Sequence, residues 1–189
     1  MNLNNLTIKK AREGLKKKEF SSVELISYYL EQIEVKNKEL NAFITVCKES
    51  ALEKAKRVDE LIRNEPSAIN HLPLLGIPIA LKDIFSTKGI ETTAGSNILK
   101  GYIPEYDATV VKKLKDAGAI IIGKTNLDAF AHGSSGENSD FGPAKNPWDT
   151  KYVPGGSSSG SAVSIAANMS IAATGTDTGG SIRLPASFT

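Results

Sequence analysis

Residues 153–162 read VPGGSSSGSA, and residues 175–183, shortly downstream, read GTDTGGSIR. Either run alone could be an ordinary turn, because Gly and Ser are common turn formers. Glycines, however, allow several backbone N–H groups to converge on one point, as an oxyanion site requires. Ser181 follows two glycines, so one turn can supply both a nucleophilic hydroxyl and the N–H groups that stabilise an oxyanion. The two runs therefore predict a catalytic centre with a serine nucleophile.

The regions around these runs indicate an α/β fold. Residues 77–81 and 119–122 are short apolar runs that predict buried strands, with a helix over 107–117 between them. Downstream, residues 162–168 predict a helix and residues 171–174 predict a further strand. Strands that alternate with helices are typical of α/β domains.

Residues 1–66 predict a helical N-terminal segment of the same domain, and residues 67–189 predict the α/β core. Ser21 and Glu24 have the spacing of a capping box at the start of a helix. A second helix is predicted over 48–63, where the apolar residues form one stripe and the charged residues lie on the other side.

The composition excludes several classes of function. Lys and Arg number 23 and Asp and Glu number 21, so the net charge is +2 and no dense basic surface for nucleic acid is indicated. No signal-peptide pattern and no run of about 18 apolar residues is present, so no membrane span is expected. With two histidines and one cysteine, no metal site of His and Cys is expected. Cys47 is interpreted as a core residue, and a single cysteine fits a reducing cytoplasm.

A serine nucleophile needs a base, and lysine is the candidate here. His71 lies in a Pro-containing loop and His132 precedes Gly133 in a predicted turn, so neither histidine suits the role. Lys82 follows the predicted strand at 77–81, where burial is expected. A fall in its pKa from about 10.4 to about 7, roughly 3 units, is within the reach of burial and would leave the amine neutral.

Three blocks taken together resemble the amidase-signature family. They are residues 76–83 (GIPIALKD), residues 153–162 and residues 175–183, and their order and separations also agree with that family. The resemblance implies the fold of the family, in which a mixed β-sheet core is flanked by helices.

The resemblance also implies roles for individual residues. Ser181 would attack an amide carbonyl, Ser157 would relay the proton through a cis peptide bond, and Lys82 would be the terminal base. The oxyanion and substrate-binding positions would be Thr178, Gly179, Gly180 and Ser134. No metal and no cofactor of the chain's own are implied.

Within the family, residues 124–128 (KTNLD), 133–139 (GSSGENS) and 146–149 (NPWD) resemble most the A subunits of tRNA-dependent amidotransferases. Such a chain is expected to release ammonia from glutamine through an acyl-serine intermediate in the cytoplasm. The ammonia would convert Glu-tRNA(Gln) to Gln-tRNA(Gln), or Asp-tRNA(Asn) to Asn-tRNA(Asn). The implied partners are the B and C subunits of the amidotransferase, of which the first would use ATP and Mg and the second is small. Contact with tRNA would be made through the complex.

Three positions depart from the family pattern. Ala129 stands where an acidic residue is usual, His132 where a methionine is usual, and Ser159 where a glycine is usual. Ala129 and His132 are expected to border the substrate pocket, so they bear on the identity of the amide.

Several alternatives remain open. A stand-alone amidase for small carboxylic amides would use the same three residues. Residues 156–160 suggest an α/β-hydrolase with Ser158 as the nucleophile, although no histidine follows that serine. The strings IALK at 79–82 and DFG at 140–142 suggest a protein kinase, but no Gly-rich loop precedes the lysine. The glycine-rich loops could instead bind phosphate, although they do not end like a P-loop.

The sequence ends at Thr189 with no evident polar tail or closing helix. We interpret it as the N-terminal part of a longer chain, with the C-terminal part of the fold absent. The residues that select the amide are expected to follow Thr189. Expressed alone, this part is expected to be inactive or poorly folded, because one edge of its sheet would be unprotected.

Overall fold

The computed structural model describes residues 3–189. Those residues form seven α-helices and four β-strands, and the strands lie in one sheet. The helices are α1 (Ile8–Lys17), α2 (Ser22–Leu40), α3 (Lys48–Asn64), α4 (Ala68–His71), α5 (Thr109–Asp116), α6 (Ser159–Ala166) and α7 (Arg183–Phe188). The strands are β1 (Phe43–Val46), β2 (Pro78–Lys82), β3 (Ile120–Thr125) and β4 (Ala172–Ala173).

The sheet has the strand order β1-β3-β2-β4 and is mixed. β2 runs parallel to β3 and to β4, whereas β1 is antiparallel to β3. Every residue of β2 and β3 is buried. Strands covered on both faces read as continuous apolar runs, and this explains why the two were visible in the sequence. The predicted α/β fold, a mixed sheet flanked by helices, is confirmed.

The N-terminal helices begin where the sequence predicts. Ser21 Oγ accepts a hydrogen bond from the Glu24 N–H at 3.1 Å, and Glu24 Oε2 accepts one from the Ser21 N–H at 2.7 Å. This is the predicted capping box of α2, and it satisfies two N–H groups that have no partner within the helix. α2 and α3 then pack on each other and on the sheet. Cys47 is a free thiol buried just before α3, as expected of a core residue.

The prediction of a helical segment over residues 1–66 needs one correction. β1 lies between α2 and α3, inside that segment, and pairs with β3. The register places Phe43 opposite Thr125 and Val46 opposite Gly123. A strand of four residues carries almost no periodic signal of its own, and its partner lies far along the chain. The helical segment therefore also supplies an edge strand of the core sheet.

The C-terminal region also differs in detail from the predictions. α7 closes the described chain, although no closing helix was expected. Pro185 is the third residue of α7, within the first turn, where a missing N–H breaks no helical hydrogen bond. α6 begins at Ser159 rather than at residue 162, and β4 is shorter than the predicted strand over 171–174. No helix among residues 3–189 combines the length and the apolar character needed to cross a bilayer.

Candidate active site

The candidate site lies at the end of β2, where the loops before α6 and after β4 meet. Lys82 is the last residue of β2, and its backbone N–H donates to Thr174 Oγ1 at 3.0 Å. Ser157 precedes α6, and Thr176 follows β4. Parallel strands that share a sheet bring their carboxyl ends to one edge, and in α/β folds that edge is the usual place for a site.

Lys82 and Ser157 form the centre of this arrangement. The Lys82 Nζ lies 2.7 Å from Ser157 Oγ, and both residues are fully buried. Lys82 Nζ also donates to Thr176 Oγ1 at 2.7 Å. The three side chains come from separate elements, so their packing alone brings them together. The amine donates to both hydroxyls in this conformation, and in its neutral form it could accept a proton from one hydroxyl while it donates to the other.

Burial lowers the pKa of Lys82 to about 8, and the negative charges of Asp128 and Asp177 oppose that fall. The direction agrees with the sequence-based expectation of a neutral lysine. The value lies about one unit above the expected 7 because two carboxylates favour the ammonium form. At pH 7, roughly a tenth of the Lys82 side chains would then be neutral.

The backbone around Ser157 has the geometry that the resemblance implies. The peptide bond between Gly156 and Ser157 is cis. The Gly156 N–H donates to the Ser134 carbonyl oxygen at 2.8 Å, and the Ser158 N–H donates to the Ser181 carbonyl oxygen at 3.1 Å. Ser157 is therefore held between the loop that contains Ser134 and the turn that contains Ser181.

One carboxylate organises the turn around Ser181. Asp177 accepts hydrogen bonds from three backbone N–H groups of the turn, those of Gly180, Ile182 and Arg183, at 2.8–3.1 Å. It also pairs with the Arg183 guanidinium at 3.0 Å. The side-chain and backbone hydrogen bonds from Arg183 hold the pKa of Asp177 below its usual range. A carboxylate shared by so many donors fixes the path of the backbone that carries Ser181.

The predicted oxyanion and substrate positions line one pocket of about 270 Å³. Its wall includes Ser181, His132 and the predicted binding residues Thr178, Gly179, Gly180 and Ser134. Lys82 and Ser157 lie behind this wall. Thr176, which accepts a hydrogen bond from Lys82, and Gly156, which precedes Ser157, both line the pocket. The pocket thus places the predicted nucleophile at the surface and its predicted base in the interior.

One of the predicted oxyanion donors already has a hydrogen-bond acceptor. The Gly180 N–H is already bonded to Asp177 Oδ1 at 2.8 Å, so it is not free to bind an oxyanion in this conformation. No hydrogen bond occupies the N–H groups of Thr178, Gly179 or Ser181 in the described chain. These three groups are the donors that remain available to an oxyanion.

The three departures from the family pattern lie in different environments. His132 lines the pocket, as expected, but Ala129 does not, because the chain turns there and Ala131 lines the wall instead. Ser159 begins α6, is fully buried, and its hydroxyl has no partner in the described structure.

Three residues that interact with Lys82 or with the Ser181 turn were not predicted from the sequence. Thr176 and Asp177 belong to the run 175–183, and Asp128 belongs to the run 124–128, but no role in the site was predicted for them from the sequence. An Asp followed by Thr and two glycines is a turn signal that could have identified Asp177. Nothing in the sequence indicates that Thr176 or Asp128 lies near Lys82. No group of three His, Cys, Asp or Glu side chains within residues 3–189 is arranged to hold a metal ion.

The family model described as Amidase matches residues 24–189. The A subunit of the glutamyl-tRNA(Gln) amidotransferase of Geobacter metallireducens is 55% identical over 187 residues, which are 99% of this chain and 38% of that protein. The curated relative from Carboxydothermus hydrogenoformans carries the same name and is 53% identical over all of this chain. The chain spans 38% of the length of these two relatives.

Solved structures agree with these matches. The A subunit of the glutamyl-tRNA(Gln) amidotransferase of Thermotoga maritima is 42% identical, with a TM-score of 0.80 over 99% of this chain and 37% of that chain. The native peptide amidase of Stenotrophomonas maltophilia is 38% identical, with a TM-score of 0.88 over 95% of this chain and 38% of that chain.

Proposed function

This chain belongs to the amidase family, and from that membership we propose that it hydrolyses glutamine as the A subunit of a tRNA-dependent amidotransferase. The assignment to the family removes the α/β-hydrolase and the protein kinase from the alternatives. The observation that carries the proposed chemistry is the 2.7 Å contact between the buried Lys82 Nζ and Ser157 Oγ. A buried lysine whose pKa is lowered is a base suited to near-neutral pH.

The proposed reaction begins with proton transfer away from the nucleophile. Ser181 Oγ attacks the side-chain amide carbonyl of glutamine, its proton passes to Ser157 Oγ, and the Ser157 proton passes to Lys82 Nζ. The tetrahedral oxyanion is stabilised by free N–H groups among residues 178–181. When the C–N bond breaks, the proton returns through Ser157 to the leaving amine, so that ammonia departs. Water then attacks the acyl-Ser181 ester, and its proton passes through Ser157 to Lys82. When the ester bond breaks, glutamate leaves and the proton returns through Ser157 to Ser181 Oγ.

The amidotransferase assignment is favoured over other amidases by sequence similarity. Four relatives named as A subunits of glutamyl-tRNA(Gln) amidotransferases are 51–55% identical to this chain over nearly all of its length. On this proposal the ammonia passes to a B subunit that uses ATP and Mg to activate Glu-tRNA(Gln) or Asp-tRNA(Asn), and a small C subunit supports the pair. The activity belongs to the cytoplasm, and the chain itself requires no metal or cofactor.

A second candidate is a stand-alone amidase that acts on small carboxylic amides. It is favoured by one observation: the peptide amidase of Stenotrophomonas maltophilia superimposes with a TM-score of 0.88, above the 0.80 of the Thermotoga maritima protein. The same serine, serine and lysine would act in either enzyme. The two candidates differ in substrate and in their dependence on partner subunits.

The deciding experiment is ammonia release by the full-length protein with and without candidate B and C subunits. Glutamine, asparagine and a simple aliphatic amide are the three substrates, and each is repeated with Ser181→Ala. Ser187→Ala is the matched control, because Ser187 is an exposed serine on α7 whose hydroxyl bonds to the Leu184 carbonyl of the same helix. Ser158→Ala tests the hydroxyl that the α/β-hydrolase pattern would make the nucleophile.

Each result has a definite reading. Glutamine-selective release that needs Ser181 and rises with the partners supports the amidotransferase. Broad release without partners supports the stand-alone amidase. Activity that survives Ser181→Ala but is lost with Ser158→Ala would mean that the proposed nucleophile is wrong.

A further inference from the structure

Asp128 occupies a buried position beside the relay serine. It follows β3, has no exposed surface, and its backbone N–H donates to the Ser157 carbonyl oxygen at 3.2 Å. The hydroxyl of the same serine lies 2.7 Å from Lys82 Nζ. Ser157 therefore contacts Asp128 through its backbone and Lys82 through its side chain.

Two glycines leave room for the Asp128 carboxylate at this point. A Cβ atom on Gly156 would lie 2.0 Å from Asp128 Oδ2, and a Cβ atom on Gly133 would lie 2.4 Å from Asp128 Cγ. The carboxylate accepts hydrogen bonds from the Gly136 N–H at 3.1 Å and the Asn138 N–H at 2.9 Å. Both oxygens therefore face donors, an arrangement that suits a negative charge.

No cation forms an ion pair with this carboxylate in the described chain. The charged groups around Lys82 are few. Asp177, on the turn after β4, is paired with Arg183, and Asp83, next to Lys82 in the chain, is paired with Lys124 at 2.8 Å. The α6 helix contributes only uncharged side chains, and His132 lies across the pocket wall. Two carboxylates act electrostatically on Lys82, and Asp128 is the one of the two that has no cation of its own among the described residues.

We propose that Asp128 is a positioning residue that acts through Lys82, because its buried carboxylate stabilises the ammonium that Lys82 becomes when it takes the proton from Ser157. The inference rests on the proposed proton path from Ser181 through Ser157 to Lys82. The path creates an oxyanion at the substrate and a cation at Lys82, and a fixed negative charge beside Lys82 lowers the energy of that separated state. The same charge opposes the fall of the Lys82 pKa caused by burial.

The test removes the charge and retains the shape. In the full-length protein, Asp128→Asn is compared with the wild type for the rate of Ser181 labelling by a fluorophosphonate between pH 6 and pH 10. In that reaction a bond forms between Ser181 Oγ and phosphorus, the P–F bond breaks, fluoride leaves, and the serine proton enters the proposed path. Labelling requires no amide substrate and no partner protein, so it reports on the proton path alone.

Loss of the negative charge makes Lys82 a weaker base. The labelling rate rises with pH as Lys82 loses its proton, and the midpoint of that rise should move to lower pH by roughly 1 unit in Asp128→Asn. The rate on the plateau should fall several-fold, because a weaker base accepts the proton less readily. A purely structural role would lower the rate or the melting temperature and leave the midpoint where it is in the wild type.

Two further variants control for effects on folding and for the loss of a carboxylate elsewhere in the chain. Asp128→Ser removes the charge with a smaller side chain, and it should shift the midpoint in the same direction if the Asn side chain disturbs folding. Asp140→Asn is the matched control, because Asp140 also accepts a backbone N–H, that of Asn97 at 2.7 Å, but lies in an exposed loop. It should leave the midpoint unchanged.

The inference is overturned if a folded, neutral variant at position 128 keeps the wild-type midpoint, or if the wild type is not labelled at Ser181. Failure of the proposed function looks different. A wild type that is labelled at Ser181 with the expected pH dependence, but releases no ammonia from glutamine with its partners, would leave the role of Asp128 intact and remove the substrate assignment.

Discussion

Lys82 Nζ donates to Thr176 Oγ1 at 2.7 Å, although 94 residues separate the two along the chain. A neutral lysine has one lone pair, and it can accept the Ser157 proton only if that lone pair points at the serine. The hydrogen bond to Thr176 uses one N–H of the amine and so orients the rest of the group. Thr176 therefore orients the Lys82 amine.

Thr176→Val is expected to lower kcat by about tenfold to a hundredfold and to change KM little. Valine keeps the shape but leaves a buried N–H without a partner, and such a loss typically costs about 1–3 kcal/mol. The measurement is steady-state ammonia release by the full-length enzyme. Thr150→Val, on an exposed loop, is the control and should behave as wild type. Equal activity of both variants would contradict the orienting role of Thr176.

The pH dependence of activity should follow Lys82. Its pKa of about 8 means that the proportion of neutral base rises through that pH, and kcat/KM should rise with it and level off above about pH 9. Lys82→Met should abolish turnover at every pH. A wild-type profile that is flat between pH 7 and pH 9 would exclude Lys82 as the base whose protonation limits the rate.

The free energy of unfolding should also depend on pH because of Lys82. Its pKa is about 8 in the folded chain and near 10.5 in the unfolded one, so the unfolded state binds more protons between these values. Stability from this group therefore rises as the pH increases from 8 to 10.5, by about 3 kcal/mol at most. Urea denaturation of the wild type and of Lys82→Met should reveal a rise that only the wild type has.

Removal of Asp177 should cost more activity than removal of its ion-pair partner. Asp177→Ala leaves three backbone N–H groups of the Ser181 turn without an acceptor, and kcat should fall on the order of a hundredfold as the nucleophile loses its position. Arg183→Gln removes an exposed cation, whose ion pair contributes about 1 kcal/mol or less. Its kcat should fall less than about tenfold. Equal losses would indicate that the ion pair, rather than the backbone contacts, holds the turn.

The buried pair of Asp83 and Lys124 offers a stability test away from the pocket. Both side chains are fully buried, and Asp83 also accepts from the Thr93 N–H at 2.9 Å. Asp83→Leu alone should lower the free energy of unfolding by about 3–5 kcal/mol, because it leaves a buried ammonium unpaired.

The double variant with Lys124→Met should recover much of that loss. Glu53→Gln, which breaks the exposed pair with Arg57, should change it by less than about 1 kcal/mol. Urea denaturation of the wild type, Asp83→Leu, Lys124→Met, the double variant and Glu53→Gln measures these changes. Losses that simply add in the double variant would contradict direct pairing of Asp83 with Lys124.

Much of the fold was predictable because its signals are local. The capping box at Ser21 needs residues three apart, and the strands at 78–82 and 120–125 stand out because they are buried on both faces. The strand at 43–46 was missed because it has four residues and depends on a partner beyond residue 120. Ala129 was expected in the pocket wall and is not there, since the path of a loop follows from its packing and not from its sequence spacing alone.

The sequence by itself determined the types of chemical group and their local geometry. It supplied serines after paired glycines, a lysine at the end of an apolar strand, and a net charge too small to bind nucleic acid by charge alone. Only the tertiary structure decided which groups meet: that Thr176 and Ser157 share the Lys82 amine, and that Asp128 lies beside Ser157 with no cation of its own among residues 3–189. The physical reason is that local conformation depends on neighbouring residues, whereas burial and charge environment depend on the packing of elements that are distant along the chain.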